Sequence, residues 1–306
     1  MGANQTLLMV VIYPGIEKYL RDYFSSISKQ TYKSFDVLIL NDGLDLECLD
    51  IASSNILLHM PPGLTPSEIR FEGIKYAIEH SYSHLIFSDA DDFFTEDRIE
   101  LSVLSLTNYN FVYNNIVPVD ETGKASADGK DLVNMFPDQI SNFEEVLDYN
   151  LFGMSNTSIS IEGINDIYIP RDIIAVDWWI YTLLLLNGAV GKYVEGPKTY
   201  YRQTDDNLVG AKKNLDKKRL VLGIKVKHAH YKDIYKYCKE MKMEEATSIY
   251  SNKLDEIIKL KVKIKDNIFL KKYINIVNNN MDQLYKGWWS EIISIKEFNK
   301  YENTIN

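Results

Sequence analysis

The chain has 306 residues, of which 45% are hydrophobic, so it can bury a substantial core in one large domain or two smaller ones. Its two cysteines, Cys48 and Cys238, stand far apart, which excludes a disulfide framework and a cysteine-rich zinc site and is typical of a reducing compartment. The net charge is −9, but residues 1–210 carry −18 and residues 211–306 carry +9. The negative field of residues 1–210 disfavours anions, so this region would need a cation in order to bind phosphates. For the same reason we expect no nucleic-acid partner.

Membrane segments are not predicted. The longest apolar runs, such as "YTLLLLNGAV", are shorter than the roughly 18 residues of a transmembrane helix, and no basic region precedes the first of them. We therefore expect a cytoplasmic protein. The basic C-terminal region is either a solvated helical face or a peripheral contact with an anionic membrane surface at the inner face of the membrane.

Strand-like and helix-like patterns alternate over the first hundred residues. The runs "TLLMVVIY", "FDVLIL", "NILLHM" and "HLIF" are apolar and of strand length. The segment "EKYLRDYFSSISKQ" has one apolar helical face, and "TPSEIRFEGIKYAIEHSY" is a helix with Thr65 at its cap and Pro66 in its first turn. Apolar strands that alternate with helices predict an α/β fold with a mostly parallel sheet covered on both faces.

The pattern becomes looser after residue 108. "NFVYNNIVPV" is a further strand, a loop with Gly123 and Gly129 follows, and "DWWIYTLLLLNG" is a helix that Gly188 ends. From residue 211 the chain is rich in Lys, Ile and Tyr at helical spacing and has no Pro. We therefore predict an α/β domain over residues 1–210 and a basic helical extension over residues 211–306.

An acidic cluster follows the strand "HLIF". The stretch "HLIFSDADDFFTEDR" places Asp89, Asp91 and Asp92 together, although like charges this close repel each other. Carboxylates at this spacing can hold Mg²⁺ or Mn²⁺; in the alternative reading, Asp92 and Thr95 merely cap the next helix. Because ligands bind beyond the carboxyl ends of parallel strands, we expect Asp42, after the second strand, to face the same crevice.

Five segments in order resemble family 2 glycosyltransferases, the GT-A enzymes that use sugar nucleotides. "TYKSFDVLILNDG" is similar to the strand that ends in acids and a glycine, and "FSDADD" to the aspartate motif. "SEIRFEGIKYAIEHSYSHLIFSDADD" resembles the Arg- and Gly-containing helix start ahead of that motif. "AVDWWIYTLLLLNG" resembles the helix that supplies the base, and "YYRQTDDNLVG" the segment that closes the catalytic domain. Together they cover most of residues 7–210.

The resemblance implies roles for particular residues. Asp42 or its neighbour Asn41 would bind the nucleotide base, and Arg70 the nucleotide or its phosphates. Asp89 would hold the ribose or the metal, Asp91 the metal that bridges the diphosphate, and Asp92 would be a third member of the metal site. The alternative for Arg70 is a surface ion pair on its helix. The implied cofactor is Mn²⁺ or Mg²⁺.

The resemblance also implies an inverting mechanism with Asp177 as the base that deprotonates the acceptor hydroxyl. Trp178 and Trp179 would desolvate this carboxylate or face the sugar; in the alternative, Asp177 is a helix cap and both tryptophans are core residues. Arg202 and Gln203 would complete the diphosphate or acceptor site. Thr204 stands where family members often have His, and "VVIYPGIEKYL" departs from the usual sequence after the first strand.

We therefore predict a metal-dependent, inverting GT-A glycosyltransferase that moves a sugar, with a UDP-sugar preferred, to a glycan or lipid-linked acceptor in surface polysaccharide synthesis. The main alternative is a GT-A-like protein that binds a sugar nucleotide or glycan without catalysis. A hydrolase of the haloacid dehalogenase type also has Asp-x-Asp after a strand, but Phe93 and Phe94 stand where it has Gly-Thr. A dinucleotide enzyme is disfavoured because no Gly-x-Gly-x-x-Gly follows any strand.

Overall fold

The computed structural model describes residues 5–46, 55–125, 136–162, 164, 168–203 and 214–305. The chain divides into two compact units. The first comprises residues 1–143, 152–171 and 184–207, and the second residues 144–151, 172–183 and 208–306. Gly129, Thr204 and the predicted boundary near residue 210 lie outside the described residues, and that boundary stays a prediction.

The first unit holds one mixed sheet. Its nine strands, counted over the described residues, are β1 Thr6–Ile12, β2 Phe35–Asn41, β3 Ile56–His59, β4 His84–Asp89, β5 Phe93–Phe94, β6 Phe111–Val119, β7 Gln139–Ile140, β8 Thr157–Ser160 and β9 Gly191–Arg202. They lie in the order β3-β2-β1-β4-β8-β6-β9-β5, and β7 pairs with β9. Strands β3, β2, β1 and β4 are parallel, as are β6 and β9, whereas β8 is antiparallel to both of its neighbours. The predicted α/β fold with a mostly parallel sheet is confirmed.

Helices cover both faces of the parallel part of this sheet. They are α1 Glu17–Ser28, α2 Pro66–Glu79 and α3 Arg98–Leu106. Successive side chains of β1 point to opposite faces of the sheet, so that Leu8 and Val10 pack in the cluster that contains residues of α1 and α3. Met9 points the other way, towards Gly73 of α2, where a side chain would not fit. The buried residues of β1 therefore decide where the covering helices can lie.

The predicted caps form as the sequence indicated. The side-chain oxygen of Thr65 accepts a hydrogen bond from the Glu68 amide while the Glu68 carboxylate accepts one from the Thr65 amide, and Pro66 is the first residue of α2. Gly188 has φ +82° just after α4, which spans Val176–Leu186. Its amide donates to the Leu185 carbonyl. Such a turn favours glycine.

The second unit is helical. It contains α5 Lys217–Glu240, α6 Glu244–Lys263, α7 Asn267–Asn279, α8 Met281–Leu284 and α9 Ile295–Ile305. The ring of Trp178 stacks on His230 with centroids 3.9 Å apart, and its indole nitrogen donates to the Val146 carbonyl at 2.7 Å. An aromatic core thus joins α5 to segments that precede it by many residues in the sequence. Among the described residues, no helix has the length and apolar composition needed to cross a bilayer.

Candidate functional site

The candidate site lies at the carboxyl edge of the parallel strands. In the strand register Asn41 pairs with Ile12, and Val11 pairs with Asp89, so the ends of β1, β2 and β4 reach the same edge. Neighbouring strands are about 4.8 Å apart, so Asn41 and Asp89 stand on either side of β1 at roughly twice that spacing. Parallel pairing therefore brings together polar residues that are far apart in the sequence.

The loop at residues 90–92 is held at both ends. It begins after β4 and ends at β5, where Phe93 pairs with Tyr200 of β9 and stacks on its ring at 4.6 Å. Arg202, at the end of β9, donates from Nε to the carbonyl oxygen of Asp91 at 2.8 Å. The backbone amide of Arg202 donates to Oδ1 of Asp92 at 2.9 Å. Two strands and one arginine thus determine where the aspartates point.

Arg202 is a buried positioning residue in this structure. Besides the Asp91 carbonyl, its guanidinium donates to the Glu121 carbonyl at 2.6 Å and to the Asp22 carboxylate at 2.9 Å, and it lies 4.7 Å from the ring centroid of Tyr19. These partners surround a side chain that is 1% exposed. The fork of an arginine suits several acceptors at once. The geometry assigns it to holding the acidic loop, whereas contact with a diphosphate stays a prediction.

Asp89 and Arg70 form an ion pair. Nη2 of Arg70, on α2, lies 3.3 Å from Oδ1 of Asp89, and the two side chains are 21% and 32% exposed. Arg70 also donates to the Pro66 carbonyl in the first turn of the same helix. The pair is thus only partly exposed and places a fixed cation beside the acidic cluster. The structure brings these two predicted site residues together.

Asp91 and Asp92 differ in their surroundings. Burial, and next the charge of Asp89, raise the pKa of Asp91 to about 6, although Arg202 and Arg70 oppose this shift. Burial, and next the charges of Asp91 and Asp89, raise the pKa of Asp92 well above its usual value. Asp92 is 1% exposed and receives the backbone amide of Arg202. Asp92 is therefore buried against the end of β9, and its role as a third member of the metal site stays a prediction.

The carboxylates of this site meet part of the needs of a divalent cation. Within the described residues, no group of three or more His, Cys, Asp or Glu side chains could hold a metal ion. Magnesium sites commonly use one or two carboxylates together with substrate phosphates. Asp91, with Asp89 beside it, fits this smaller requirement, because burial and the charge of Asp89 raise the pKa of Asp91 and a bound cation would favour its ionised form.

Tyr13 and Arg98 belong to this region and were missed by sequence reasoning. Tyr13 is 44% exposed, yet partial desolvation, and then the charges of Asp91 and Asp89, raise the pKa of its phenol to about 12. Its position just after β1 is the signal that could have identified it. Arg98 is buried and donates to the Phe87 carbonyl of β4 at 2.6 Å. Nothing in its sequence context distinguishes it from a surface residue of α3.

Asn41 and Asp42 have different environments after β2. Oδ1 of Asn41 accepts from the Leu44 amide at 2.7 Å, and its side-chain amide donates to the Leu44 carbonyl at 2.9 Å. Asn41 is buried by this local turn, whereas Asp42 is half-buried. The amide of Asp42 donates to the Ile12 carbonyl, which holds it beside the end of β1. Asp42 is the better placed of the two for a ligand.

The remaining predicted site residues are buried or half-buried. Asp177 is half-buried in the second unit, and its Oδ1 accepts from the Trp178 amide at 2.8 Å. Trp178 and Trp179 are buried and His230 covers a face of Trp178, so both belong to the core, and their contact with a sugar stays a prediction. The amide of Gln203 donates to the Val119 carbonyl, and its Nε2 is buried with no hydrogen-bond partner among the described residues.

Comparison with curated proteins gives short but consistent matches. An uncharacterized glycosyltransferase of Rickettsia felis is 29% identical over 106 residues, which are 32% of this chain and 17% of that protein. Another from Rickettsia conorii is 28% identical over 130 residues, 40% of this chain and 21% of that protein. The matches thus span about a fifth of the length of these relatives.

Solved structures share the fold over nearly the whole chain. S. aureus TarS in complex with UDP-GlcNAc has a TM-score of 0.54 at 14% identity, covering 98% of this chain and 91% of that one. The complex of TarS with UDP gives 0.53 at 13% identity, covering 98% and 90%. This likeness establishes a GT-A fold. Residues 8–148 match the sequence model of glycosyl transferase family 2, so the chain carries a family 2 glycosyltransferase domain.

Proposed function

We propose that this chain is an inverting, metal-dependent glycosyltransferase that uses a nucleoside-diphosphate sugar, with a UDP-sugar preferred. The observation that carries the proposal is the group formed by Asp89, Asp91 and Arg70 at the carboxyl edge of the sheet, within the segment that matches the family. The TarS complexes with UDP-GlcNAc and UDP support the choice of donor. The proposed acceptor is a glycan or lipid-linked glycan of a surface polysaccharide, reached from the cytoplasmic side.

The donor would bind across the ends of β1, β2 and β4. Asp42, half-buried beside β1, would accept a hydrogen bond from the nucleotide base. Arg70 would exchange part of its ion pair with Asp89 for a contact with the diphosphate, since a guanidinium binds carboxylate and phosphate with the same geometry. Tyr13, just after β1, would donate a hydrogen bond from its phenol to the sugar nucleotide, because a phenol is protonated at neutral pH.

Asp91, with Asp89, would hold Mn²⁺ or Mg²⁺. A bound divalent ion supplies Lewis-acid stabilisation of the charge that develops on a leaving diphosphate. Asp92 and Arg202 are proposed to position the loop that carries Asp91. Through the amide of Arg202 and the carbonyl of Asp91 they hold the loop in one conformation, so that Asp91 does not have to be ordered when the donor binds.

Asp177 is proposed as the base on the resemblance alone. The acceptor hydroxyl would attack the anomeric carbon from the face opposite the diphosphate. The bond between that carbon and the diphosphate oxygen would break, and Asp177 would take the hydroxyl proton. The sequence context "AVDWW" supports the assignment. The predicted effect of the tryptophans on its pKa stays a prediction.

The first experiment is calorimetric titration with UDP, GDP and CDP, each with Mn²⁺ and with EDTA. Asp91→Asn removes the carboxylate assigned to the metal, and Asp92→Asn is the matched control because an amide oxygen can still accept from the Arg202 backbone. We expect one nucleotide to bind in the presence of Mn²⁺. Asp91→Asn should abolish this binding and Asp92→Asn should retain it.

Three outcomes would change the proposal. Absence of binding by every nucleotide contradicts the donor assignment, and equal losses in the two variants contradict the assignment of the metal to Asp91. Turnover is tested separately as UDP release from UDP-sugars with purified glycan acceptors. Asp177→Asn should bind UDP normally but release none from the sugar donor. Nucleotide binding by the wild type with no release from any donor would favour the alternative of a binding protein.

A further inference from the structure

Exposed apolar side chains are concentrated where α6 meets α7. Ile258 is 41% exposed, Val262 60% and Ile268 80%. Eight large hydrophobic side chains are exposed among the described residues, and three of the eight lie in residues 258–272, which we name the tip surface. Single exposed hydrophobic residues need no explanation, but a cluster marks a surface that something covers.

The same segment is strongly basic. It holds six lysines and one acid, Asp266, which gives a net charge of +5; the lysines are Lys259, Lys261, Lys263, Lys265, Lys271 and Lys272. Over the part of the chain that the structure describes, Lys272 pairs with Glu302, and no salt bridge forms at the other five. Lys263 instead lies 5.4 Å from the ring centroid of Phe269. The apolar side chains thus stand among five lysines that form no salt bridge with any described residue.

The basic area continues onto α5, which packs against α6 in the same unit. Burial, followed by the charges of Lys261 and Lys232, lowers the pKa of His228. Lys261 therefore stands near His228 of the neighbouring helix. Val221, 48% exposed, lies two turns before His228 on α5. Cations and exposed aliphatic side chains therefore occur on both helices of this pair.

We propose that the tip surface binds the surface of an anionic lipid bilayer. Lysines near such a surface are attracted by its negative potential, and aliphatic side chains gain free energy by entering the boundary between headgroups and acyl chains. A soluble polyanion would use the lysines but would leave Ile268, Val262 and Ile258 exposed to water. The charge together with the apolar cluster therefore favours a bilayer. This proposal does not depend on the chemistry proposed for the first unit.

The test is flotation of the full chain with vesicles. One set contains phosphatidylcholine alone, and the other an equimolar mixture with phosphatidylglycerol. We expect the chain to bind the anionic vesicles only. This binding should weaken as the salt concentration is raised, because salt screens the attraction between the exposed lysines and the anionic headgroups. The variant Lys259→Glu/Lys261→Glu/Lys265→Glu should lower the partition coefficient at least 100-fold, since each lysine near the surface contributes about 1 kcal/mol.

The charge control is Lys236→Glu/Lys239→Glu/Lys242→Glu, which makes the same change of net charge near the start of α6. Along α6, Lys242 and Lys259 are separated by about 25 Å at the helical rise of 1.5 Å per residue. This control should retain most of the binding. Val262→Asn/Ile268→Asn should weaken binding at least tenfold, whereas Leu104→Asn, which changes a side chain 64% exposed on α3, should not.

Four results would overturn the proposal. They are no binding to anionic vesicles at low salt, equal losses in the two lysine variants, and unchanged binding in Val262→Asn/Ile268→Asn. The fourth is a dimer in size-exclusion chromatography that the tip variants dissociate, because the surface would then belong to a second copy of the chain. Circular dichroism of each variant establishes that it is folded before binding is measured.

Discussion

The histidine in the core of the second unit makes this unit sensitive to acid. His230 is 1% exposed, its ring stacks on Trp178 at 3.9 Å, and burial, followed by the charge of Lys227, lowers its pKa from 6.5 to about 3. The folded protein therefore favours the neutral ring. The stability from this histidine is fully present above pH 6.5 and is lost as the pH falls from 6.5 towards 3.

The size of this effect follows from the shift. Each pH unit below 6.5 lowers the free energy of unfolding by about 1.4 kcal/mol, so the loss between neutral pH and pH 5 is about 2 kcal/mol. The perturbation is His230→Phe, which keeps an aromatic ring against Trp178 but cannot take a proton. Among the described residues, the one side-chain hydrogen bond that it loses is the long contact of the His230 ring with the Thr182 hydroxyl at 3.5 Å. The variant should therefore lose about 2 kcal/mol less than the wild type between pH 7 and pH 5.

The assay is urea unfolding followed by tryptophan fluorescence at a series of pH values. All four tryptophans of the chain lie in the second unit, so the signal reports on that unit; they are Trp178, Trp179, Trp288 and Trp289. His80→Gln, at an exposed position at the end of α2, is the control and should follow the wild type. Parallel curves for the wild type and His230→Phe would refute the reasoning, because they would mean that His230 is protonated equally well in the folded and unfolded chain.

Two further predictions concern the first unit. In Arg202→Lys, an ammonium group cannot replace the buried guanidinium that donates to the Asp91 carbonyl and its other acceptors. The variant should therefore lower the free energy of unfolding by at least about 2 kcal/mol and weaken nucleotide binding. Thermal melts followed by circular dichroism measure the stability, with Arg21→Lys, exposed on α1, as the control; equal melting temperatures of Arg202→Lys and the wild type would exclude the positioning role. Gly73→Ala should destabilise by about 1–3 kcal/mol because the new methyl group meets the sulfur of Met9; a melting temperature equal to that of the wild type would show that Met9 moves freely.

The sequence alone determined the elements whose signals are local. The apolar strands and the helix faces follow from periodicity, and the start of α2 follows from Thr65 and Pro66. It also predicted that β1, β2 and β4 end at one edge, because covered parallel strands have that geometry. The antiparallel β8 and the 12-residue β9 were not predicted, since their partners are chosen by contacts distant in the sequence.

The candidate site shows where local reasoning ends. Sequence motifs selected Asp89, Asp91 and Arg70, and the fold brings these three into one group. The direction of each carboxylate was decided by the tertiary structure. Asp92 differs from Asp91 because the amide of Arg202, 110 residues further along, faces its oxygen. No pattern near "SDADD" contains that information.

The aromatic residues of α4 and the basic residues of 211–306 also show what the sequence predicts and what only the tertiary structure decides. "DWWIYTLLLL" predicts a helix with two large rings at its start, but only packing against His230 shows that Trp178 is covered. The composition of residues 211–306 predicts a basic helical region, whereas the fold of this region decides which lysines and aliphatic side chains are exposed together. Residue type and spacing thus determine the elements and the chemistry available to them. Long-range packing determines which side chains are buried and which stay exposed to bind a ligand.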